Sequence, residues 1–126
     1  MKKRNGFTLI ELLAVIVILA IILVIAVPKI LNTIEAARKS SMEDSVKLIA
    51  TQAEKQLLIN QTQGSTAVPT CSDAADFSST EYPTCTLTWG TGNDAGKVTG
   101  ISVTGGGKFD GYSCSMASSV VTCTKS

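Results

Sequence analysis

Three sets of residues in this chain have types and spacings that can do chemistry. The first is Glu11, a carboxylate inside an otherwise apolar run, four residues after Phe7 and five after Gly6. Carboxylates are costly in hydrocarbon, so one placed there needs a cation, a hydrogen-bond donor or an exit to water. The second is Pro28, in the middle of a helical pattern, where the missing N–H loosens or kinks a helix. The third is the set Cys71, Cys85, Cys114 and Cys123, all in the C-terminal half. An even number of cysteines, confined to a small region beyond an export or membrane signal, points to disulfides in an oxidising compartment. No CxxC pair and no histidine is present, so a metal site is not expected. No serine or cysteine has an evident base, so neither an enzyme nor a cofactor is expected.

The elements that must position these residues follow from hydropathy and charge. Leu9 to Val27 is a run of 19 residues with Glu11 its only charge. As a helix it would be about 28 Å long, close to the hydrocarbon thickness of a bilayer. Lys2, Lys3 and Arg4 precede it, which puts the N-terminus in the cytoplasm and the rest outside. A cleaved secretory signal would have a shorter core and a small-x-small site; here the run ends in "AVPKI".

Helical periodicity then continues through Ile30, Ile34, Ala37, Ser41, Ser45, Leu48 or Ile49, Gln52 or Ala53, and Leu57. Glu35–Lys39 and Glu43–Lys47 are spaced as i,i+4 pairs. The pattern predicts one helix from Phe7 to Gln61, kinked near Pro28, with Gly64 and Pro69 beyond its end. Beyond it, residues 85–89, 97–104, 112–116 and 120–125 read as short strands separated by glycine-rich loops. The expected fold is α+β: a long helix, membrane-spanning in its first half, packed in its second against a small antiparallel sheet of three to four strands. A two-residue turn at Ser118–Ser119 would set Cys114 opposite Cys123. Cys71 with Cys85 would then close the other loop, although four cysteines allow three connectivities.

At the N-terminus, "GFTLIE" from Gly6 to Glu11 follows a short basic leader, and an apolar helix follows with Pro28 21 residues after Phe7. Over roughly Lys2 to Leu31 the sequence resembles the type IV pilin family, pseudopilins included. The resemblance implies cutting between Gly6 and Phe7 by a prepilin peptidase, N-methylation of Phe7, and assembly of the chain with itself into a helical filament by a platform and ATPase. It also implies a disulfide-bounded region in the head. The expected divisions are a leader at 1–6, a membrane and filament-core helix at 7–28, an amphipathic helix at 29–61 and a β-rich head at 62–126. Glu11 would pair with the amine created on Phe7, its own or a neighbour's; the plainer alternative is a carboxylate snorkelling at the membrane edge. Pro28 would be a point where the helix stretches on assembly, or simply the end of the span.

The resemblance leaves two functions, a surface-pilus subunit and a pseudopilin of a secretion or DNA-uptake machine; a third, a membrane-anchored binding domain that never polymerises, would leave Gly6–Phe7 and Glu11 unexplained. From Gln61 onward three lysines face five carboxylates, a poor balance for a nucleic-acid surface. "GGGKFDG" lacks phosphate-loop spacing. "GNDAG" with Asp110 offers too few oxygens for calcium, and Asn60-Gln61-Thr62 is a short, generic glycosylation tripeptide. The absence of aromatic residues between Phe7 and Phe77 disfavours electron conduction along the helix.

Overall fold

The computed structural model describes residues 6–75 and 77–125; the basic leader residues Lys2, Lys3 and Arg4, and Asp76, lie outside that range. The chain forms two compact units, Met1–Ala36 and Ala37–Ser126. Helix α1, Leu9–Thr62, contributes to both and is continuous through Pro28. Its onset is two residues later than expected, because Thr8 holds the cap position and Phe7 lies outside the helix.

In the first unit no residue of α1 is buried. Leucine, isoleucine and valine side chains are exposed around the whole circumference from Leu9 to Ile34, apart from a half-buried Ala26. A helix apolar on every side has no face for water and requires an apolar surrounding.

In the second unit the helix is amphipathic. Met42, Val46, Ile49, Ala50, Ala53 and Leu57 are its buried residues, at three- and four-residue steps. Ile49, Ala53 and Leu57 lie on the expected face, but its first turns are offset: Ser41 is exposed and Met42 and Val46 are fully covered, and of Leu48 and Ile49 it is Ile49 that is buried. The larger apolar side chains, rather than the serines, orient the helix, since burial of apolar area drives packing.

Strands β1 (Thr84–Trp89), β2 (Val98–Thr104), β3 (Tyr112–Ala117) and β4 (Val120–Lys125) form one antiparallel sheet in sequential order. The strands alternate, except that β2 breaks step between Val98 and Ile101, opposite the register shift between Thr88 and Trp89. The sheet's inner residues, including Ile101, Val103, Tyr112, Cys114, Val121 and Cys123, pack with Met42, Val46 and Ile49. Most of its outer residues are hydroxyl-bearing. Thr84, Thr104, Ser113 and Thr124 form one exposed row across all four strands, and Thr86, Ser102, Ser115 and Thr122 form the next. Such alternation is what one packed face and one solvated face require.

Ser118 and Ser119 make the β3–β4 turn with φ of 52° and 66°, the left-handed pair that a two-residue hairpin demands. That turn sets the register in which Cys114 faces Cys123. The two are bonded, with Cα atoms 4.0 Å apart, and Cys71 is bonded to Cys85. At the top of the core Tyr82 stacks between Phe77 and Phe109. Gly105 lies against Phe109 so closely that a Cβ would collide with the Phe109 backbone.

Two helix carboxylates are tied to the sheet. Glu43 Oε1 accepts the Cys123 N–H at 3.2 Å and Glu54 Oε1 accepts the Val98 N–H at 2.8 Å. Glu43 thus does not take the expected pairing with Lys47, whose ammonium lies 3.8 Å from Asp44 instead. The physical reason is position: Cys114 and Cys123 approach as a non-hydrogen-bonded pair, so the Cys123 N–H points out of the sheet edge and needs an acceptor.

Candidate functional site

The junction residues occupy the start of α1. Gly6 is exposed and a side chain there would meet nothing within 4 Å. Phe7 is 90 % exposed. Neither is in the helix, so the Gly6–Phe7 peptide is exposed, non-helical backbone of the kind a protease can enter.

Thr8 caps the helix. Its carbonyl accepts the first helical bond from the Leu12 N–H at 3.2 Å. Its Oγ1 accepts the Glu11 N–H at 3.3 Å, and Glu11 Oε2 accepts the Thr8 N–H at 3.1 Å. This reciprocal arrangement is a capping box, threonine at the cap and glutamate three residues on. It satisfies two of the donors that every helix start leaves unpaired and sets a carboxylate against the positive end of the helix dipole. Phe7 and Leu12, just before the cap and four residues after it, line one cleft of about 460 Å³ with Glu11, Ala14 and Val15. These are the positions of a hydrophobic staple, which fixes the angle at which the chain enters a helix.

The T-x-x-E spacing of Thr8 and Glu11 carries the signal of this box in the sequence, but the expected roles of Glu11 were pairing with the Phe7 amine or snorkelling, not capping. Glu11 therefore has a role before any partner arrives. Only one of its oxygens serves the cap; among the described residues Oε1 has no hydrogen bond. The carboxylate is held one residue from the nitrogen that cleavage at Gly6–Phe7 would turn into an amine.

Pro28 lies inside α1 in the first unit. The cysteine pairs lie in the second unit, separate from the junction chemistry. Asp73 caps the short 3-10 turn Cys71–Asp73: its Oδ2 accepts the Thr70 N–H at 2.7 Å and the Thr70 hydroxyl at 2.9 Å. Those two hydrogen bonds, the backbone one first, hold the Asp73 carboxyl below the usual carboxylate range. Asn60 is occupied structurally: its Nδ2 donates to the Ala67 carbonyl and its Oδ1 accepts from Gln56. Among the described residues no group of three or more histidine, cysteine, aspartate or glutamate side chains could hold a metal.

Residues 1–27 match the family model of the prokaryotic N-terminal methylation motif. The match supports a class, the subunits with a prepilin-type N-terminal signal, and the apolar helix is consistent with membrane anchoring. Within that class the match supports the type IV pilin and pseudopilin family, which consists of structural subunits rather than enzymes. Neither the curated proteins nor the solved structures gave a significant match to the chain.

Proposed function

We propose that the chain is a pilin subunit, cut between Gly6 and Phe7 by a prepilin peptidase, N-methylated on Phe7 and polymerised with itself into a helical surface filament. The observation that carries this reading is an apolar helix exposed on every side in the first unit and headed by a carboxylate one of whose oxygens accepts no hydrogen bond among the described residues. In the bilayer, lipid covers the helix; once the subunit leaves the bilayer, only other copies of the same helix can do so. Apolar contact is non-directional and leaves the sliding of one helix along another undecided. A charge pair decides it.

Cleavage converts the Phe7 nitrogen from a neutral amide to an ammonium. Glu11 Oε2 remains on the Thr8 N–H, and Oε1 accepts the ammonium of its own chain or of a neighbour. In an apolar interior either charge alone is strongly disfavoured, so the pair selects the register in which each amine meets a carboxylate. Pro28 leaves the Val24 carbonyl without its helical donor, which makes residues 24–28 the cheapest place for α1 to stretch on assembly. The subunit begins as a single-pass cytoplasmic-membrane protein with its N-terminus inside, and the assembly platform and ATPase extract it.

Mass spectrometry of the subunit, with electron microscopy of sheared cell-surface material, tests this. A subunit beginning at N-methylated Phe7 within long filaments is the expected result. Processed protein without surface filaments would replace the filament with the short pseudopilus of a secretion or DNA-uptake machine. A subunit still beginning at Met1 would leave a non-polymerising anchored domain.

A further inference from the structure

We infer that the head carries a binding subsite for one ring of a neutral glycan, in the cleft beside Trp89. The cleft lies wholly within the second unit and has a volume of about 360 Å³, lined by Leu57, Gln61, Ser65, Val68, Trp89 and Gly96 together with Thr66 and Gly90. That volume is in the range of small-ligand sites.

Its walls are fixed without a ligand. Trp89 Nε1 donates to the Pro69 carbonyl at 3.3 Å, so the indole is held by its edge. The loop that follows α1 is tied back by Asn60 Nδ2 to the Ala67 carbonyl and by the Ser65 N–H to the Asn60 carbonyl. The opposite wall is closed by the Gly90 N–H on the Lys97 carbonyl and by the Gly90–Ala95 bridge. Gly96, with φ of 86°, has open space where a Cβ would be. A cleft built before binding loses little freedom when it is filled.

The chemistry of the lining selects the ligand. No charged residue contributes to it, so anionic sugars, nucleotides and charged peptides would find no counter-charge. Apolar surface comes from Leu57, Val68 and the half-buried Trp89, and polar groups come from exposed Gln61, Ser65 and Thr66. The Gln61 amide and Thr66 hydroxyl have no intramolecular hydrogen bond among the described residues. Ser65 Oγ accepts the Ala67 N–H at 3.2 Å and keeps its own proton to donate. A purely apolar occupant would cover these groups and leave them unpaired, at a cost. A pyranose ring meets both demands: its C–H face lies on apolar and aromatic surface, and its hydroxyls give and accept hydrogen bonds at the rim.

Trp89 is the single tryptophan of the chain, so its fluorescence reports on this cleft alone. The full-length protein, held in amine-oxide micelles because sugar-based detergents would compete, is titrated with maltotriose, cellotriose and chitotriose to about 10 mM, tenfold above a millimolar dissociation constant. Trigalacturonate is the charged control. The expected result is a saturable shift with at least one neutral trisaccharide and none with the control. Gln61→Ala should weaken that binding about tenfold, as loss of one hydrogen bond predicts, with an unchanged thermal midpoint. Thr66→Phe, which fills the cleft from an exposed position, should abolish it. The inference is overturned if no neutral trisaccharide gives a saturable response, if trigalacturonate binds equally well, or if Gln61→Ala binds as the parent does. A shift that follows protein concentration without sugar would also overturn it, by showing that a second copy fills the cleft.

Discussion

Replacing Glu11 by glutamine separates the two tasks assigned to it. A glutamine at this position keeps an oxygen for the Thr8 N–H, because either Glu or Gln completes a capping box; what it loses is the charge. Glu11→Ala loses both. The cap accounts for about 1 kcal/mol of helix-start stability. Removing one partner of a buried charge pair costs about 3–5 kcal/mol, which at roughly 1.4 kcal/mol per tenfold lowers the constant for adding a subunit by two to three and a half orders of magnitude. The assay has two readouts. Hydrogen exchange of the Thr8 amide, whose acceptor is Glu11 Oε2, reports the cap: protected in the parent and in Glu11→Gln, exposed in Glu11→Ala. The yield of sheared filaments, normalised to processed subunit, reports the pair: normal in the parent, and absent or nearly so in both variants. Filaments of Glu11→Gln at parental abundance would refute the charge pair. Loss of Thr8 protection in Glu11→Gln would refute the geometry from which the argument starts.

The head makes its own predictions. Ser118→Asn with Ser119→Gly relieves two left-handed non-glycine residues and should stabilise the head by about 1 kcal/mol, a rise of roughly 4–8 °C in the thermal midpoint; an unchanged or lower midpoint would count against the turn. Peptide mapping without reduction should link Cys71 to Cys85 and Cys114 to Cys123, and the double Cys71→Ser, Cys85→Ser variant should lose about 3 kcal/mol of stability in urea. Asp73 has a folded pKa below its ordinary value of 3.8. Its contribution is therefore complete above that value and fades as pH falls through the folded pKa. Midpoints measured between pH 2 and 6 should show Asp73→Asn less stable than the parent at pH 6 and converging with it at the acid end; a constant difference would exclude the carboxylate as the cause. Glu43→Ala leaves the Cys123 N–H at the sheet edge without its acceptor and should destabilise the head by about 1–3 kcal/mol, again read by urea unfolding.

Local signals made much of this fold legible. Each strand is framed by glycine, serine or asparagine turns, so the four were placed within a residue of β1 to β4. The Ser118–Ser119 turn carried the β3–β4 register because a two-residue hairpin admits only one pairing. The helix face was placed correctly at Ile49, Ala53 and Leu57 but one residue off at Ser41 and Ser45, where Met42 and Val46 fit a neighbouring stripe of the 3.6-residue period. Only packing against Tyr82, Phe109 and the sheet chooses Met42 and Val46. The destination of Glu43 was not legible locally: an i,i+4 lysine lies nearby in sequence, while the donor it serves is 80 residues away. The Trp89 cleft was equally hidden, being assembled from the end of α1 and two loops that meet only in the folded head.

One device recurs through the chain, and its setting separates the functional instance from the structural ones. Among the described residues, four carboxylates accept backbone N–H donors that regular structure leaves unpaired: Glu11 from Thr8, Asp73 from Thr70, Glu54 from Val98 and Glu43 from Cys123. In the head, water is close enough to solvate whatever charge the hydrogen bond does not offset; Asp73 is exposed and the two helix glutamates are half-buried. Glu11 is the exception under the proposed function, in which the 19-residue apolar run that contains it enters lipid or a bundle of like helices. One amide hydrogen bond there leaves most of a negative charge uncompensated. Of the four, it alone needs a cation, and the first that processing supplies is the amine of Phe7. The same carboxylate begins the helix in the single chain, and in the proposed filament its second oxygen is what would make the assembled state the preferred one.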